Sequence, residues 1–333
     1  MKALVYTGKE ALEYRDEVDA SERDGEMLIE VDAAGICGSD MHAYFGHDER
    51  RPAPLILGHE AAGVVVSGLD KGRRVTINPL VTCGKCSACL AGRNNLCAYR
   101  EIISMPPRPG AFAQYVSMPP ENLVTVPDDF PLVKAALAEP LACGWHAVRL
   151  AGEASAIPLT EARCVVIGGG AIGLASALSL AAAGAERIEI AETNTLRHAP
   201  LQQAGPFTVF DPSERSDGDY GQIDVVVDAV GFEATRAAAS RMAKPGGVIV
   251  HIGLGSGSGG LDIRRLTLQE ITFIGTYTYT PEDFRETAAA MFSGRLGALD
   301  WFEVRPLSDG ASAFADIRDG RAAAPKIILN PKD

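Results

Sequence analysis

Three side chains with an affinity for transition metals fall close together early in the chain. Cys37 lies in Cys37-Gly38-Ser39-Asp40-Met41-His42, and His59 and Glu60 lie in Gly58-His59-Glu60. Thiolate, imidazole and carboxylate together suit a borderline-soft cation such as zinc. A catalytic zinc takes about three protein ligands and keeps one position open for substrate or water. Alone, these residues fit a small buried cysteine beside a histidine and a glutamate at a turn equally well, so the rest of the chain must decide. Glu139, at the end of the apolar run in Leu137-Ala138-Glu139-Pro140-Leu141-Ala142, either faces water or serves a metal.

A second cluster, Cys83-x2-Cys86-x2-Cys89-x7-Cys97, places four thiols within fifteen residues. That spacing can wrap one ion tetrahedrally. Free thiols so crowded would be an oxidation liability. With all four positions filled by protein, the site should be closed and structural. Its ion would stabilise a lobe at about residues 80–100 that has little core of its own.

The third signal is Gly168-Gly169-Gly170-Ala171-Ile172-Gly173, which follows the apolar strand at residues 162–167 and opens an Ala/Leu-rich helix. This is G-x-G-x-x-G in the setting a dinucleotide needs. Gly168 permits the tight turn, Gly170 admits a pyrophosphate, and Gly173 lets helix and strand pack closely. The phosphates then meet free N–H groups at a helix N-terminus. A second strand, at residues 187–191, ends at Glu192, an acid that accepts ribose hydroxyls and repels a 2′-phosphate, favouring NAD over NADP. Gly168, Gly170, Ala171, Ile172, Gly173, Glu192 and Arg197 form the expected nucleotide contacts.

The elements that must position these residues fall into two textures. Residues 1–34 and later runs at 61–66 and 74–77 alternate apolar and polar residues between tight turns, and helical periodicity is scarce until about Lys134. This predicts an irregular, mostly β domain. From residue 162 strands alternate with helices: strands at 207–210, 223–230 and 248–252, a helix over 232–243 and a turn at 244–247. That alternation predicts a doubly wound parallel sheet. Pro200 should end or kink the helix after the second strand, and residues 211–222 read as a loop. After about Arg265 short strands return, as at 271–274, then a helix over about 281–292 and strands near 301–304 and 326–329. These should complete the first domain. The expected organisation is α/β: a nucleotide domain at 146–265 inserted within a catalytic domain of 1–145 and 266–333, with the active site in the cleft.

Composition excludes several classes. The chain has 333 residues, 47% hydrophobic and 22% charged, with a net charge of -12 and seven cysteines. This is a globular composition of roughly two domains. The acidic balance argues against nucleic acid or an anionic membrane as partner. The longest apolar run, at 171–183, is too short to span a bilayer, and the N-terminus lacks the apolar run of a signal peptide. A cytoplasmic location is expected. Cys143, Cys164 and His146 read as core residues and His47 as a loop histidine.

Taken in order, Cys37-Gly38-Ser39-Asp40, Gly58-His59-Glu60-Ala61-Ala62-Gly63, the four-cysteine lobe, Glu139-Pro140 and the glycine fingerprint resemble the zinc-dependent medium-chain alcohol dehydrogenases. The branch containing sorbitol and other polyol dehydrogenases is the most similar. The resemblance implies a doubly wound Rossmann domain inserted in a GroES-like catalytic domain, with NAD and two zinc ions per chain. It implies a catalytic zinc held by Cys37 and His59, with Glu60 as direct or alternating ligand and Glu139 ligating directly or through water. Ser39 and His42 match a proton relay, and Asp40 matches an acid that orients His59. The expected substrate is a sugar alcohol or another secondary alcohol, and the expected assembly a homodimer or homotetramer. Polyol enzymes often carry an arginine where Thr278 stands, just before Tyr279, which leaves an amino alcohol, a diol or a simple secondary alcohol as alternatives. A zinc- and nucleotide-binding redox sensor without catalysis is a further alternative.

Overall fold

The computed structural model describes residues 1–214 and 221–332. The chain divides into two compact units, one of Met1–Pro140, Thr280–Ser293 and Phe302–Asp333, the other of Leu141–Tyr279 and Gly294–Trp301.

The first unit is built on β-sheet. Its largest sheet has seven strands, running in space Leu123–Thr125, Arg74–Ile77, Glu60–Val65, Met27–Gly35, Lys326–Asn330 and Phe302–Pro306, with Tyr115–Met118 also on Met27–Gly35. Lys2–Gly8 pairs with Ala11–Asp16 and Leu55–Ile56 in a three-stranded sheet. Alternating side chains from these strands, among them Leu4, Ile29, Val31, Val75 and Ile77, join Phe112 and Phe314 in one buried core, as period-two patterning requires. Two short helices, Gly38–Tyr44 and Ser87–Leu90, interrupt the strands. Neither shows in the periodicity, because seven and four residues are too few to display an apolar stripe.

In the second unit six strands, all parallel to their neighbours, run Thr208–Phe210, Arg187–Ala191, Arg163–Ile167, Ile223–Asp228, Ala243–His251 and Thr272–Gly275. In chain order this is 3-2-1-4-5-6, the doubly wound arrangement that binds dinucleotides where the strand order reverses. Ile223–Asp228 is buried at every position, as a strand covered on both faces must be.

Three expectations need correction. The strand at 272–275 is the sixth strand of the parallel sheet rather than a return to the first domain. It lies at the sheet's end with Thr272, Phe273 and Gly275 exposed, so it lacks the apolar run of a buried strand. Pro200 does not break its helix, His198–Ala204. It is the third residue there, and the first turn's amides have no partner within a helix. The turn at 244–247 lies inside the strand Ala243–His251 as a bulge: Ala243 pairs with Ile223 and Val248 with Val225, and Gly246 takes φ +71. Half of the loop expected at 211–222, residues 215–220, lies outside the described residues, and Pro212–Glu214 within it forms a short 3-10 turn. No helix among the described residues is long and apolar enough to cross a membrane.

Candidate metal centre and nucleotide site

Antiparallel pairing of Met27–Gly35 with Glu60–Val65 places Gly35 opposite Glu60 and brings the two metal-binding segments together. The Asp40 carboxylate rivets them. It accepts the Cys37 N–H at 3.0 Å and the Gly58 N–H at 3.2 Å, and lies 3.4 Å from Nδ1 of His59. Asp40 is fully buried. Burial would raise its carboxyl, but the His59 imidazole and the Arg51 guanidinium outweigh it and hold it below its ordinary value. With Nδ1 facing a carboxylate, Nε2 of His59 is left for a metal; it points past Ser39, 3.5 Å from that Oγ.

One donor atom from each of Cys37, His59 and Glu60 lies within 4.8 Å of the others. That is the spacing of three ligands about a single ion with one position to spare. The donor chemistry agrees. Burial would lower His59, yet Asp40 and Cys37 draw a proton to it and raise it well above its ordinary value. The same negative surroundings suit a divalent cation. Glu139 is buried in the first turn of the helix Ala138–Ala154 but does not contribute to this three-donor group. It acts electrostatically on Lys326.

Two residues at the centre lie outside every sequence motif. Lys326 is buried, and its Nζ donates to both Glu60 oxygens at 2.6 Å and to the Ile36 carbonyl at 2.8 Å. Burial would lower Lys326, but Glu60 and Cys37 raise it, so it stays an ammonium. Gly35 makes room for the carboxylate: a Cβ there would lie 2.1 Å from Glu60 Oε2. A glycine inside a strand is the one signal that something approaches closely, whereas a single lysine in a closing strand gives none.

Ser39 and His42 lie one turn apart on the helix Gly38–Tyr44, so their side chains share a face. Burial, with the nearby His47 and Arg51, lowers His42 against the opposing pull of Asp48. A neutral imidazole there is ready to accept a proton.

In the lobe, donor atoms of Cys83, Cys86, Cys89 and Cys97 lie within 4.8 Å of one another, with Sγ–Sγ separations of 3.5 Å for 86–89 and for 83–97. Tetrahedral zinc–thiolate bonds imply about 3.8 Å between sulfurs, so the fit is direct. Amides of Cys83 and Tyr99 donate to Cys97 Sγ at 3.5 and 3.4 Å. Cys86 is drawn down to about 6, chiefly by the Cys89 amide, while Cys89 is pushed up to about 11, chiefly by burial. Ionising all four side by side needs a cation. Cys164, by contrast, is a buried thiol pushed up to about 12, consistent with a core residue.

In the second unit Gly168 takes φ +96 just after the central strand. A Cβ on Gly173 would lie 1.7 Å from the Gly168 carbonyl, so helix and strand touch through that glycine. Gly170 caps the helix Ala171–Ala182, where Ala171 and Ile172 are part-exposed and the first amides are free. Glu192 accepts the Gly169 N–H and the Asn194 N–H, each at 2.7 Å. Arg197 lies 3.7 Å from the same carboxylate, with its Nη1 the nearest side-chain atom to the vacant Cβ position of Gly170, at 4.0 Å. Its buried Nε has no hydrogen-bond partner. A guanidinium with an unpaired Nε beside a helix N-terminus fits a pyrophosphate.

Comparison with known proteins agrees with both halves. Residues 23–128 match the alcohol dehydrogenase GroES-like domain, and residues 171–293 match the zinc-binding dehydrogenase domain. The chain is 31% identical over 288 residues to L-galactonate-5-dehydrogenase of Escherichia coli, covering 83% of this chain and 82% of that one. It is 30% identical over 318 residues to a probable D-xylulose reductase A of Neosartorya fischeri, covering 89% and 87%. Among solved structures it is similar to a putative zinc-binding dehydrogenase from Sinorhizobium meliloti bound to NADP, with TM-score 0.89, 26% identity and 99% of each chain covered.

Proposed function

Because this chain belongs to the zinc-dependent medium-chain alcohol dehydrogenases, a family of NAD(P)-linked oxidoreductases, we propose that it oxidises a secondary hydroxyl of a polyol or sugar acid to the ketone, with NAD as acceptor. The convergence of Cys37, His59 and Glu60 donors within 4.8 Å carries this reading. Relatives named for xylulose and galactonate support a polyhydroxylated substrate. The Glu192 carboxylate at the end of the second strand supports NAD over NADP.

Cys37, His59 and Glu60 would hold the catalytic zinc, and Cys83, Cys86, Cys89 and Cys97 the structural one. Zinc supplies Lewis acidity, which can lower the pKa of an oxygen it binds from ~15.7 to about 7 in the case of water. Ser39 Oγ, beside His59 Nε2, takes the hydroxyl proton, and neutral His42 is the group to pass it on. Asp40 holds the His59 ring in the tautomer that leaves Nε2 free. Gly168, Gly170, Gly173 and the first amides of Ala171–Ala182 seat the pyrophosphate, assisted by Arg197.

Cys37→Ala should abolish turnover while NAD binding, read by fluorescence titration, stays intact; full turnover in that variant would overturn the assignment. A panel of polyols, sugar acids, diols and simple secondary alcohols identifies the substrate. A less polar alcohol is the second reading, because Thr278 stands where polyol enzymes often carry arginine. We also propose a homo-oligomer, because Thr272–Gly275 ends the parallel sheet with no further strand beside it among the described residues and with Phe273 exposed. Sedimentation as a monomer at micromolar concentration would refute it.

A further inference from the structure

Arg51 is a charged side chain only 3% exposed, and no sequence motif accounts for it. Its guanidinium joins four groups. Nη1 pairs with Asp48 at 2.7 Å and donates to the Ser39 carbonyl at 3.3 Å. Nε donates to the Ser104 carbonyl at 3.0 Å, and Nη2 reaches the Ser104 Oγ at 3.5 Å. Ser104 is itself fully buried and held at φ +72, a conformation that costs a non-glycine residue roughly 1–3 kcal/mol and persists only where the surroundings enforce it. The same hydroxyl lies 3.5 Å from Nδ1 of His59. One buried cation therefore touches the backbone of Ser39 and, through Ser104, the far side of the His59 ring.

We propose that Arg51 is a positioning residue that locks the Ser39 segment and the His59 imidazole to each other, setting both the metal-binding face of the ring and the place of the serine hydroxyl. The inference rests on the metal-centre reading above. An arginine donating to Ser104 Oγ occupies one lone pair of that oxygen and leaves the other to accept Nδ1–H. It thereby reinforces the tautomer that Asp40 selects, with Nε2 free for a metal. A planar, five-donor fork can meet Asp48, Ser39 and Ser104 at once, whereas a lysine can satisfy only part of that set.

The test uses Arg51→Met, Arg51→Lys and Ser104→Gly in the zinc-loaded full chain. Groups that support metal ligands typically change metal affinity or activity 10–100-fold when removed. Arg51→Met should therefore release the catalytic zinc to a chelator at least about tenfold faster and lower kcat by a similar factor. NAD affinity and retention of the four-cysteine zinc should not change. Arg51→Lys should recover part of both losses. Ser104→Gly guards against a folding artefact: it relieves the strained φ, so a merely structural role predicts a neutral or stabilised protein with normal zinc retention. Our proposal predicts unimpaired thermal stability with accelerated loss of the catalytic zinc. Wild-type zinc retention in Ser104→Gly, or wild-type kcat in Arg51→Met, would overturn it. A wild-type chain that binds only the four-cysteine zinc would instead overturn the metal-centre reading itself.

Discussion

Replacing Lys326 with Met isolates what the buried ammonium does for Glu60. The two side chains are 2% and 0% exposed, and Nζ lies 2.6 Å from both carboxylate oxygens. Methionine keeps most of the stem's volume, so the change removes charge rather than packing. Glu60 is then an unpaired anion in the core, and the Ile36 carbonyl loses its donor. Breaking a buried pair by removing one partner costs about 3–5 kcal/mol. That is the loss expected in zinc-stripped protein. A bound zinc changes the sum, because the Glu60 oxygen is within 4.8 Å of the Cys37 and His59 donors and can turn to the metal. Each 1.4 kcal/mol of the loss that zinc restores must appear as about tenfold tighter zinc binding. Glu60→Gln placed on Lys326→Met should recover stability with or without zinc, since the orphan charge is gone. The assay is urea unfolding of wild type, both single variants and the double variant, loaded and stripped. Hydrogen exchange at Glu60–Val65 and Lys326–Asn330 reports on the first unit alone. A cost below about 1 kcal/mol, or an equal cost with and without zinc, would refute the reasoning.

Other perturbations follow from single contacts. Gly173→Ala puts a Cβ 1.7 Å from the Gly168 carbonyl, so the fingerprint turn must move; NAD affinity should fall at least about tenfold at a stability cost of roughly 1–3 kcal/mol, checked by titration and thermal melting. Glu192→Ala frees the Gly169 amide and removes the charge that repels a 2′-phosphate, so the ratio of kcat/KM for NAD over NADP should fall; an unchanged ratio would place discrimination elsewhere. Burial alone would raise Glu26, but hydrogen bonds from Arg108 and Ser117 outweigh it and lower the carboxyl. A folded value below the unfolded one gives stability that is present above about pH 4.5 and lost as pH falls through the folded value. Glu26→Gln should therefore destabilise the protein near neutral pH and cost progressively less in acid, as denaturant midpoints across pH will show.

What could be read from the sequence was what is local. The glycine fingerprint, Glu192 and the four-cysteine lobe each lie within a short stretch, because a turn, a helix N-terminus and a chelate loop are built from neighbours. Cys37, His59 and Glu60 were legible as types, since zinc restricts its ligands. Their partners were not. Lys326 is 266 residues from Glu60, and Ser104 is 45 from His59; neither spacing carries a period or a motif. The sixth strand is hard to place from sequence for a related reason: its identity lies in the parallel neighbour Ala243–His251, and its own exposed residues resemble those of the β domain. Asp40 marks the boundary between the two cases. Its bond to the Cys37 amide is local, three residues along the chain, whereas its bonds to Gly58 and His59 exist only because Gly35 and Glu60 pair. Ligand identity is thus inherited from short segments. The charge that tunes those ligands arrives from whichever strand the sheet happens to place alongside, and here that is the closing strand, Lys326–Asn330.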